Sequence, residues 1–145
     1  MEESTLKYWK DAGHVARRTL EAMKLELTPG KTFHEVIESA ERYIHRHGGK
    51  PAFPGTIAVN DLAAHFTTDH AINQVEGWDG EMVLQKGDCV KIDFGVHIKG
   101  HIADNALTFE IGNGNEHTEQ IKAAKEARDA AIEMMHPGTP WYKVG

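Results

Sequence analysis

Gly87-Asp88-Cys89-Val90-Lys91-Ile92-Asp93-Phe94-Gly95-Val96-His97-Ile98-Lys99-Gly100-His101-Ile102-Ala103-Asp104-Asn105-Ala106 reads as a β-hairpin that carries two carboxylates on one face. Val90, Ile92, Phe94, Val96 and Ile98 alternate with Lys91, Asp93, Gly95, His97 and Lys99, the period of a half-buried strand. Beyond the turn, Ala103, Asn105, Leu107, Phe109 and Ile111 alternate with Ile102, Asp104, Ala106 and Thr108. Lys99-Gly100 serves as a two-residue loop, which pairs Ile98 with His101. Asp93 then lies opposite Ala106 and Asp104 opposite Gly95, so the carboxylates are diagonal neighbours with Cα atoms roughly 7–8 Å apart. Gly95 and Ala106 are expected to leave room between them for something larger than a proton. Like charges so placed destabilise a sheet unless one is protonated or a cation sits between them. From the hairpin alone a second reading stands beside the cation site: both aspartates solvated on an exposed face. A loop one residue longer or shorter would put them on opposite faces.

The rest of the chain bounds the function class. It has 145 residues, 40% of them hydrophobic and 26% charged, which is ordinary for one globular domain with a real core. A formal net charge of −6 argues against broad binding to DNA, RNA or anionic membranes. The single cysteine, Cys89, cannot form an internal disulfide and falls within the strand alternation. The first residues show no apolar run of signal-peptide length, and no segment approaches a membrane span. A cytoplasmic location is the expectation.

Around the hairpin the pattern predicts a helix from Leu6 to about Leu25, a break at Thr28-Pro29-Gly30, and a second helix from Thr32 to His47. Thr32 and Glu35 are spaced as a capping box, and Phe33, Val36, Ile37, Ala40 and Ile44 form the apolar face of that second helix. Lys50 to Gly55 reads as irregular, Thr56 to Asn60 as a short strand, and Thr67 to Leu84 as loop. A third helix is expected from Glu116 to Met135. The simplest packing is an α+β arrangement with helices on one side of an antiparallel sheet. The helix and Pro-Gly break at Ala16-Arg17 to Gly30 recur at Ala127-Arg128 to Gly138, a weak internal repeat. The repeat suggests that residues 1–145 are the first half of a duplicated domain.

Four segments together resemble the methionine aminopeptidases, in particular their type 2 branch of eukaryotes and archaea. They are Ala52-Phe53-Pro54, Asn60 with Ala63-Ala64-His65-Phe66-Thr67, Lys91-Ile92-Asp93-Phe94-Gly95 with His97-Ile98, and Ile102-Ala103-Asp104. The resemblance implies the pita-bread fold and metal-dependent removal of the initiator methionine from peptides and nascent proteins. It implies Asp93 and Asp104 as metal ligands, His65 as a catalytic residue that contacts the substrate, and Phe53 as a wall of the methionine pocket. It also implies two divalent ions per complete site, with cobalt, manganese, iron and zinc all compatible with such ligands. The remaining ligands of the family, a histidine and two glutamates, match no residue of this chain. The missing half is expected either in cis, as the second half of a full-length protein, or in trans, from a second-half polypeptide or by self-association. The segment 69–82 is longer than the family's usual loop. Two further readings are a catalytically inactive pita-bread interaction module and an aminopeptidase acting on Xaa-Pro bonds.

Overall fold

A computed structural model of the protein describes residues 3–68, 82–112 and 114–145. Helix α1 (Glu3–Glu26) begins three residues before the expected start, and it buries Ala12, Val15, Ala16 and Met23 along one stripe. Its chain ends in a Pro-Gly turn in which Gly30 takes φ 91°, a left-handed value open to glycine at little cost. Helix α2 (Phe33–Arg46) then starts on the predicted capping box: the Thr32 hydroxyl accepts from the Glu35 N–H at 3.1 Å, and the Glu35 carboxylate accepts from the Thr32 N–H at 2.8 Å. Its buried side chains are the five expected ones, Phe33, Val36, Ile37, Ala40 and Ile44.

Four strands follow: β1 (Lys50–Pro51), β2 (Thr56–Val59), β3 (Cys89–Ile98) and β4 (His101–Glu110). All pairings are antiparallel, with β4 running along the whole of β3 and with β1 and β2 pairing to successive stretches of β3. Strand β1 departs from the expected irregular segment. Its proline has no N–H to give, and the pairing of Lys50 with His97 and Pro51 with Val96 is decided by tertiary contact rather than by local preference. The β3–β4 register is the expected one, with Ile98 opposite His101, Asp93 opposite Ala106 and Gly95 opposite Asp104. The connecting residues Lys99 and Gly100 both have positive φ, 50° and 83°, the backbone that a two-residue hairpin loop requires.

One face of this sheet is covered and the other is open. Val90, Ile92, Phe94 and Val96 of β3 are buried against Val15, Ala16, Met23, Val36, Ile37 and Ile44 of the two helices. The alternate residues of β4, Ile102, Asp104 and Ala106, are exposed on the far side. Where the chain re-enters after residue 81 it is tied to the α1–α2 link: Phe33 N–H donates to Met82 C=O, and Leu84 N–H donates to Lys31 C=O, each at 2.8 Å. The expected long loop of residues 69–82 lies, up to residue 81, outside the described residues.

Residues Asn115–Gly145 form a second compact unit. It holds helix α3 (Thr118–Met134), slightly shorter than expected, and a 3₁₀ turn at Trp141–Lys143 where the internal repeat anticipates the start of a helix. Gly138 repeats the conformation of Gly30, with φ 89° against 91°, so the two Pro-Gly breaks are alike in backbone as well as in sequence.

The carboxyl of Glu35 is held below its ordinary value by the Thr32 backbone N–H and then by the Thr32 hydroxyl. A depressed carboxylate pKa contributes stability above the ordinary glutamate range, and the contribution is lost as pH falls through it. Thr32→Ala is expected to lower the unfolding free energy in urea by about 1 kcal/mol at neutral pH. Glu35→Ala should cost less in acid than at neutral pH; equal costs would contradict the capping role.

Candidate metal and substrate site

The open face of the sheet carries the site. The diagonal register brings Asp93 and Asp104 together there, and Phe53, Pro54, Thr56, His65 and Thr67 complete the lining of a cleft of about 390 Å³. All four residues singled out in the sequence therefore meet in one cavity. Thr56, which lies opposite Asp93 on β2, and Thr67 were not singled out; the pairing of β2 with β3 places Thr56 beside the carboxylates, and only the fold reveals it.

Asp93 is the strained member. Its Oδ1 is buried and has no hydrogen-bond partner among the described residues. Burial first, and then the charge of Asp104, push its carboxyl above the ordinary aspartate value, while His65 acts in the opposite direction. Asp104, by contrast, is an exposed residue of β4. A buried carboxylate oxygen without a donor carries an uncompensated desolvation cost. The reading of two solvated carboxylates does not account for that oxygen.

His65 reaches the cleft from an irregular segment with its backbone in the left-handed region, φ 62°, an uncommon conformation for a residue with a β-carbon. The segment is held at both ends. After His65, the C=O of Phe66 accepts from Ile57 N–H at 2.8 Å, and the Phe66 ring meets Phe33 edge-on with centroids 6.3 Å apart. Before it, Asn60 uses every polar group it has. Its side-chain amide donates to Asp88 Oδ1 at 2.9 Å and its side-chain oxygen accepts from Cys89 N–H at 3.0 Å. Its own N–H donates to Cys89 C=O, and its C=O accepts from Lys91 Nζ. The sequence offers no local signal for this lock, because its partners lie 28 to 31 residues away.

One expectation is corrected. The space above Gly95 is not left open between the carboxylates: a β-carbon there would come within 2.4 Å of Phe53 Cε1 and 2.9 Å of Ala52 Cβ. The bare α-carbon accommodates the Phe53 ring.

Residues 7–145 match metallopeptidase family M24. The chain belongs to that family. Over its full length this M24 chain is 36% identical to a methionine aminopeptidase of Archaeoglobus fulgidus, of which it covers 46%. It spans less than half the length of that protein and of the methionine aminopeptidases of two Thermococcus species that it also matches. The fold is that of a methionine aminopeptidase from Thermotoga maritima, with a TM-score of 0.80 over 93% of this chain and 54% of that one at 24% identity. A prolidase from Pyrococcus horikoshii OT3 gives a TM-score of 0.72 at 28% identity, over 91% of this chain and 36% of the prolidase. The pita-bread α+β fold is thus shared by M24 members that carry different names, and the cleft sits on a frame common to both.

A raised carboxyl pKa favours folding below the ordinary aspartate range, and the contribution is lost as pH rises through the raised value. In metal-free protein at neutral pH, Asp93→Asn is therefore expected to raise the thermal midpoint. The gain should vanish in acid. A lower midpoint at neutral pH would contradict an uncompensated carboxylate.

Proposed function

We propose that this chain is the carboxylate-bearing half of a metal-dependent methionine aminopeptidase that acts on peptides and nascent proteins in the cytoplasm. The observation that carries the reading is the unpartnered, buried Oδ1 of Asp93, a residue that lines the cleft together with Asp104. Two hard oxygen donors side by side, one with an oxygen that accepts no hydrogen bond, suit a divalent cation such as manganese, iron, cobalt or zinc, and a cation shared with Asp104 removes the desolvation cost. The M24 membership and the names of the archaeal relatives support the same conclusion.

In this reading Asp93 and Asp104 would hold two divalent ions in a complete site. Bound there, the ions would polarise the scissile carbonyl and make water a competent nucleophile near neutral pH. Phe53 presents an apolar wall to the methionine side chain. His65 donates a hydrogen bond to the substrate as negative charge develops on the carbonyl oxygen, an interaction stronger in the transition state than in the ground state. The fixed left-handed backbone at His65 matters because a donor must be placed before charge develops to contribute fully.

Among the described residues no group of three or more His, Cys, Asp or Glu side chains is placed to hold a metal ion by itself. Affinity depends on a complete and oriented set of ligands, so the 145-residue chain alone should bind divalent ions weakly. The proposal places the remaining histidine and glutamate ligands in the additional length that the relatives possess, or in a second polypeptide or second copy that closes the open face.

In the complete, metal-loaded protein, His65→Ala should lower turnover of a peptide that begins with methionine by about 10²–10³-fold, the range for loss of one transition-state donor. Its unfolding midpoint should match that of the wild type. Turnover unchanged at an unchanged midpoint would exclude the catalytic role of His65. Removing divalent ions with a chelator should abolish activity and lower the thermal midpoint together; activity that persists without them would exclude the metallopeptidase reading.

A further inference from the structure

We infer that Gly95 is a specificity-determining residue: its bare backbone lets the Phe53 ring lie against β3, and this sets the width of the apolar part of the cleft. The substrate part of this inference rests on the aminopeptidase reading above; the geometric part does not. Gly95 is buried within β3 and lies outside the left-handed region that would demand glycine for its backbone. Space is therefore the reason for glycine here, as expected where another group approaches a strand closely. An added β-carbon would stand 2.4 Å from Phe53 Cε1 and 2.9 Å from both Phe53 Cδ1 and Ala52 Cβ, far inside van der Waals contact, with the ring the nearest group.

The ring cannot relieve such a clash by retreating with its backbone. Ala52 N–H donates to Gly95 C=O at 2.9 Å, which holds the residue before Phe53 on β3 itself. Two residues after Phe53, the buried Gly55 packs against α2, where a β-carbon would already come within 3.2 Å of Ile37 Cγ2. The segment 52–55 is thus held between β3 and α2, and the remaining freedom is rotation of the Phe53 side chain toward the cleft that it lines. A methyl group at position 95 then narrows the part of the cleft that a long unbranched side chain would fill, while a first residue with only a methyl side chain would still fit. Gly95 contacts no substrate in this account; it acts through Phe53.

The test compares Gly95→Ala with wild type in the complete, metal-loaded protein, on peptides that differ only in a first residue of methionine or alanine. The expected result is a fall in kcat/KM for the methionine peptide of about tenfold or more, carried by KM, with the alanine peptide within about twofold of wild type. Adding Phe53→Ala should relieve the contact with the ring and leave only that with Ala52 Cβ, so that in the Phe53→Ala background Gly95→Ala no longer discriminates between the two peptides by more than about twofold. Equal losses on both peptides, or an undiminished effect in the Phe53→Ala background, would overturn the inference. If Gly95→Ala does not fold, recovery of folding when Phe53→Ala and Ala52→Gly are added supports the clash and continued failure overturns it. Should the wild type cleave neither peptide, the aminopeptidase reading fails and the geometry is decided by NMR of the 145-residue chain. Nuclear Overhauser contacts between the Phe53 ring and the Gly95 α-protons, displaced in Gly95→Ala, sustain it; their absence in wild type overturns it.

Discussion

Everything at the site depends on the register of one hairpin. Two residues with positive φ, Lys99 and Gly100, place Ile98 opposite His101, and that single pairing dictates every other pair up to Cys89 and Glu110. A slip of one residue would turn Asp104 toward the helices while Asp93 stayed on the open face, because side chains alternate with period two. The covered-face residues of β4 guard against that slip. Ala103 and Phe109 pack against the core that Val90, Ile92, Phe94 and Val96 form with α1 and α2, so a shift that misplaced the Asp104 carboxylate would also turn them out of it. Burial on one face thus specifies chemistry on the other.

The same division explains why the site tolerates an unfavourable group. Helices α1 and α2 supply the packing on the covered face, while the open face carries Asp93 with an unpartnered oxygen and His65 in a left-handed backbone. Such local costs persist where the surroundings hold them in place, and they collect at functional sites. Here the holding groups can be named: Asn60 and its partners at one end of the His65 segment, Phe66 at the other, and the close approach of Phe53 to Gly95 on the strand between the carboxylates.

Local chemistry made much of this readable. The alternation of β3, the two-residue loop, the Thr32–Glu35 capping box and the apolar stripe of α2 each follow from neighbours in sequence, and the structure has all of them. The resemblance of four short segments to one family brought Phe53 and His65 to the same place as the aspartates, which periodicity could not have done. What escaped depends on contacts between distant residues. Strand β1 contains a proline and pairs only because β3 passes beside it. Thr56 joins the cleft through β2–β3 pairing. Gly95 looked like room left for something larger than a proton, since a missing side chain in the sequence does not reveal which neighbour takes the space.

The central claim is that Asp93 and Asp104 form one divalent-cation site, and paramagnetic broadening by Mn²⁺ in amide-correlation NMR spectra tests it most directly, because it detects weak sites in the chain as it stands. The account predicts selective loss of signals around Asp93, Asp104 and His65 at low Mn²⁺, abolished by Asp104→Asn. Broadening centred instead on the acidic residues of the helices, or unaffected by Asp104→Asn, would contradict it.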